Sequence, residues 1–71
     1  MNEEKLKIRL GKRIKELREK NELTQLDIAS SCDFEKTSIS RIEAGRTNPT
    51  ITTLYKISIA LGVELKELFE F

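Results

Sequence analysis

Between Glu35 and Asn48 the chain carries Lys36, Thr37, Ser40 and Arg41, followed by Arg46 and Asn48. Ammonium and guanidinium groups only donate hydrogen bonds, whereas hydroxyls and the amide both donate and accept. Such a set suits the binding of anions and of ordered donor and acceptor arrays, not the making of bonds. The usual means of catalysis are missing: the 71 residues include no His, one Cys and three Gly. His-based general-base chemistry, the usual zinc sites and Gly-rich phosphate cradles are thereby excluded. No catalytic residue, metal, cofactor or small-molecule ligand is expected, and the chain is not read as an enzyme.

The elements that position these residues follow from caps and periodicity. Leu6, Leu10, Ile14 and Leu17 recur at intervals of four, four and three, one apolar stripe of a helix over residues 3–20. Gly11 interrupts it at a cost of about 1 kcal/mol relative to Ala, which is read as a site of close packing against another helix. Three later starts show a capping position flanked by apolar residues: Thr24 between Leu23 and Ile28, Glu35 between Phe34 and Ile39, and Glu64 between Val63 and Leu68. Thr50 is a fourth cap, and Gly45 and Gly62 mark stops. Five helices result, at about 3–20, 25–31, 36–44, 51–61 and 65–70, with no strand-like alternation. The expected fold is all-α, one compact domain over residues 1–71.

Two short helices separated by Cys32 to Glu35 fit a helix-turn-helix over about residues 25–44, with Ile28, Ala29, Cys32, Phe34, Ile39 and Ile42 as its apolar positions. At 100° per residue, Lys36, Thr37, Ser40, Arg41 and Ala44 share an arc of about 140° opposite Ile39 and Ile42. An arbitrary solvated face would be dense in Glu/Lys pairs. This one is short and hydroxyl-rich, with side chains that reach base edges and phosphates. Arg41 can meet guanine bidentately, Lys36 guanine or phosphate, and Thr37 a thymine methyl. Arg46 and Asn48 are assigned to phosphates.

Further residues carry a family resemblance: Leu23-Thr24-Gln25, Ile28-Ala29, Ser38-Ile39-Ser40-Arg41-Ile42-Glu43, Gly45, Asn48-Pro49, and Ala60-Leu61-Gly62-Val63 with Leu68-Phe69. Over about residues 10–69 the chain resembles the Xre/Cro family of lambdoid phage repressors. The resemblance implies a five-helix, lambda repressor-like domain whose third helix enters the major groove of double-stranded DNA. It also implies a homodimer on a pseudo-palindromic operator, with recognition helices about 34 Å apart. Gln25 would touch the backbone or support the third helix, and Arg18 and Glu43 match positions resembling a buried Arg–Glu pair. The chain departs from the family at Asp33 and Glu22, where Gly is usual, and at Glu35, where Ser or Thr usually caps. A carboxylate at Glu35 repels phosphate unless it accepts from a cytosine amine or caps its own helix.

The expected function is sequence-specific transcriptional regulation as a prophage repressor, a restriction–modification controller or an antitoxin; the long first helix is similar to the controllers. The alternative is a protein-interaction module of the same fold acting without specific DNA binding, which would place apolar anchors at Lys36 to Arg41.

Net charge is only +1, but residues 1–20 hold eight Lys/Arg against four Asp/Glu. No apolar run suits a membrane span or a signal peptide, so a cytoplasmic location without a membrane partner is expected. Cys32 occupies a core position and is read as an inert thiol. A core this small favours dimerisation. Ile51, Leu54, Ile57 and Leu61 are assigned to the core and Leu68 and Phe69 to its closure, leaving Tyr55, Ile59, Leu65 and Phe71 for the dimer interface.

Overall fold

The computed structural model describes residues 1–71. It contains four α-helices, α1 (Glu3–Lys20), α2 (Gln25–Cys32), α3 (Lys36–Glu43) and α4 (Ile51–Leu61), followed by a 3-10 turn, Leu65–Phe69. The expected fifth α-helix is therefore corrected to a five-residue 3-10 segment. Glu67 accepts a hydrogen bond from the Glu64 amide at 2.8 Å, so the start forms, but too few residues follow for the i→i−4 ladder to propagate. No helix is long and apolar enough to cross a membrane.

The starts are chemically similar. Asn2, Thr24 and Thr50 each accept a backbone N–H of the first turn of α1, α2 and α4. Asp27 closes a reciprocal box by accepting from the Thr24 amide, and that bond, together with the Thr24 side chain, holds the Asp27 carboxyl below its ordinary range. Its contribution is present above the ordinary carboxylate value and is lost as the pH falls through the depressed one.

All four helices stop alike, with a left-handed residue followed by a backbone bond five residues back: Leu23 to Arg18, Phe34 to Ala29, Arg46 to Arg41 and Val63 to Ser58. The left-handed residues are Glu22, Asp33, Gly45 and Gly62. Glu22, at φ 57°, lacks the short side chain that eases this conformation for Asp33. Glu22→Gly is expected to stabilise the domain by about 1 kcal/mol, raising the melting temperature by about 4–8 °C. An unchanged or lower melting temperature in thermal denaturation would contradict the assignment of strain.

The core comprises Leu10, Ile14, Leu17, Ile28, Ala29, Cys32, Ile39, Ile42, Leu54, Ile57, Leu61 and Leu68. Burial pushes the Cys32 thiol above its usual range and so favours the protonated form, against the opposing positive charge of Lys56. Four expectations need correction. Ile51 and Phe69, assigned to the core, are exposed. Leu65, assigned to the subunit surface, packs partly against the core. Leu6, on the apolar stripe of α1, is 41% exposed, lying beside Asn48 of the loop and not over the core. Ile51 is the first residue of α4, and Phe69 ends a turn whose tighter winding, about 120° per residue instead of about 100°, carries it away from the face of Leu68.

The elements lean on one another in a closed circuit: α1 on α3, α3 on α2, α2 on α4, α4 on the terminal turn, and the turn back on α1. Arg13 fastens the last seam, donating through Nε to the Glu67 carbonyl at 2.9 Å and lying 3.6 Å from Glu70.

Candidate nucleic-acid interface

Helix α3 divides cleanly between body and solvent. Ile39, Ile42 and Glu43 are buried, whereas Lys36, Thr37, Ser40 and Arg41 are exposed. None of these four, nor Arg46 or Asn48, spends its side chain on a hydrogen bond or ion pair within the chain. Their donors are free for an external acceptor. Lys36, Thr37 and Ser40 share a shallow hollow with Gln25 of α2. Arg41 and Asn48 line a second hollow beyond it, with Ser38, Thr47, Thr50 and Thr53.

The sequence does not assign those four hydroxyl residues to the site. The signal for Thr47 and Thr50 is the run from Thr47 to Thr50 ahead of α4, which reads locally as a cap and turn. Thr47 Oγ1 is buried without a partner. Arg46 stands where the other three helix stops place Leu23, Phe34 and Val63, all partly buried against the core. At the end of α3 that position instead presents an exposed cation, next to the second hollow.

Behind the exposed face lies a charged anchor. Arg18 of α1 donates to Glu43 through Nε at 2.7 Å and through Nη2 at 3.0 Å. Its Nη1 satisfies the Leu23 carbonyl at 2.9 Å, and Gln25 Nε2 donates to the same Glu43 carboxylate at 3.0 Å. The side chains of Arg18 and Glu43 retain only 11% and 4% of their exposure. The hydrogen bond to Glu43 raises the Arg18 pKa further, against the opposing effect of burial. Bidentate geometry of this kind fixes orientation as well as charge. It ties the start of α2 and the end of α3 to α1, so Gln25 is oriented from behind while it borders the hollow in front.

The spacing of α1 and α3 depends on two glycines. A Cβ at Gly11 would lie 2.5 Å from the carbonyl oxygens of both Ile42 and Glu43, and one at Gly45 would lie 2.9 Å from the Ile8 backbone. The helices meet backbone to backbone, which brings Arg18 and Glu43 within reach of each other.

The helix-turn-helix family model matches residues 14–68, the span from the middle of α1 to the terminal turn. Control protein C.MunI from a Mycoplasma species is 45% identical over 65 residues, covering 90% of this chain and 88% of its own. Control protein C.BamHI from Bacillus amyloliquefaciens is 36% identical over 67 residues, covering 93% and 83%. The crystal structure of the restriction–modification controller protein C.AhdI from Aeromonas hydrophila matches with a TM-score of 0.85 at 29% identity, over 87% of this chain and 94% of that one. A helix-turn-helix with its outer face free, matched by these proteins over nearly their whole length, places the chain in the helix-turn-helix family of transcriptional regulators.

Proposed function

We propose that the chain is a dimeric, sequence-specific regulator of the controller type, cytoplasmic, which reads a pseudo-palindromic operator with α3 in the major groove of double-stranded DNA. The observation that carries this reading is the outer face of α3, where four donor-bearing side chains are exposed and unpartnered. An interaction module would present apolar anchors there, yet the exposed large apolar residues all lie elsewhere. The controller subtype is supported by matches covering more than four fifths of both control proteins.

Roles divide by geometry. Lys36, Thr37, Ser40 and Arg41 meet base edges, and Gln25 supports them from the rim of their hollow. Arg46 and Asn48, beyond the helix end, hold the sugar–phosphate backbone. Dimerisation is assigned to the exposed stripe of Tyr55 and Ile59, now extended by Ile51 at the same four-residue spacing, together with Phe71. Leu65 contributes only the part of its surface that the core leaves open.

Arg41→Ala is expected to relax sequence preference and cost about 1–3 kcal/mol on the operator. Arg46→Ala should weaken specific and random DNA alike and reduce the salt slope by about one unit. Fluorescence binding on both DNAs at several salt concentrations separates these outcomes, and equal losses for both variants would refute the division. Sedimentation of wild type and Ile59→Glu tests the dimer: a wild type monomeric at high micromolar concentration, or a variant that still dimerises, contradicts it.

A further inference from the structure

Glu35 stands at the N-cap of α3 with extended backbone angles of φ −79° and ψ 150°, and its side chain makes no capping hydrogen bond. It is exposed and forms no ion pair. The other three helices are capped by Asn2, Thr24 and Thr50. Only α3, the helix whose outer face is unpartnered, forgoes its cap. Residues at the N-terminal end of a recognition helix are the ones that contact base edges. A carboxylate there forfeits capping and also repels the phosphates on either side of the groove. Neither loss is offset by any contact within the chain.

An ionised carboxylate only accepts hydrogen bonds, and in the major groove its complement is an exocyclic amine. The cytosine N4 amine stands without an acceptor on its own base edge, whereas adenine pairs its amine with the acceptor N7 and favours an amide. We propose that Glu35 is a specificity-determining residue, reading the amine of one cytosine in each half-site and disfavouring bases that present only acceptors. This rests on the DNA-reading assignment of α3.

The test is selection of bound sites from a random DNA pool by wild type, Glu35→Gln and Glu35→Ala, with melting temperatures measured for all three. Because the exposed side chain makes no hydrogen bond or ion pair within the chain, the variants are expected to fold as the wild type does. The wild-type consensus should contain a cytosine that loses about tenfold or more of its preference in both variants. Glu35→Gln should shift that position toward adenine and Glu35→Ala should leave it unselective. Random-DNA affinity rises in both variants because a negative charge has gone. That rise with superimposable consensus sequences would show electrostatic repulsion only and overturn the role of Glu35. A wild type that enriches no sequence would instead overturn the DNA-reading assignment, and the role of Glu35 with it.

Discussion

Alanine at position 11 is expected to destabilise the domain by about 3 kcal/mol or more, although alanine in a helix interior ordinarily gains about 1 kcal/mol over glycine. The sign reverses because the new methyl group would stand 2.5 Å from two backbone carbonyl oxygens of α3, where no side chain can rotate away. The helices must part, and parting them also lengthens the Arg18–Glu43 bonds. A 71-residue domain holds about 4–10 kcal/mol in all, so the variant should unfold at much lower denaturant. Chemical denaturation checks it directly. A Gly11→Ala protein as stable as wild type would mean that the seam between α1 and α3 is not closed in solution.

Glu43→Gln is expected to cost about 3–5 kcal/mol, because the neutral amide leaves the Arg18 guanidinium buried without its counter-charge. For a domain of this size the melting temperature should fall by about 15 °C or more. Replacing both partners with apolar residues of similar volume should recover most of that loss, since desolvation of the pair offsets much of its attraction. The direction of the Arg18 shift also fixes the pH dependence. A raised folded-state value gives stability that is fully present below the unfolded value and lost only as the pH rises through the folded one, above the ordinary guanidinium range. Alkaline buffers short of that range should therefore leave the pair intact. A Glu43→Gln melting temperature within a few degrees of wild type would show instead that solvent screens the pair.

Much of this architecture is legible in the residue order, because the signals are local. Thr24 with Asp27, Thr50 after Pro49, and Gly62 before Val63 each specify a helix end through bonds spanning five residues or fewer, and Ile39 with Ile42 fixes which face of α3 turns inward. Gly11 announces a close approach but does not say to what, since its partners lie more than thirty residues away. The terminal segment misleads for a related reason: Glu64 and Glu67 signal a start, and nothing in the sequence of a five-residue element tells a 3-10 turn from an α-helix. Ile51, Leu65 and Phe69 are misplaced by wheel geometry, which assumes a continuous helix and a core that extends along its full length. The hollow around Thr47 is invisible for the opposite reason, being formed by a loop whose shape no periodicity records.

The circuit of contacts bears on how the protein responds to its own concentration. The seam that returns the chain to α1 is made by the terminal turn, held by Arg13, and the proposed subunit surface is built on α4 and the residues around that same turn. A partner seated there binds only the closed circuit. By mass action, such association would stabilise the whole domain, the reading head included. If the chain pairs through this surface, its stability should rise with protein concentration, and a melting temperature independent of concentration would count against pairing there. Pairing of that kind would couple the fold of the reading head to the abundance of the protein.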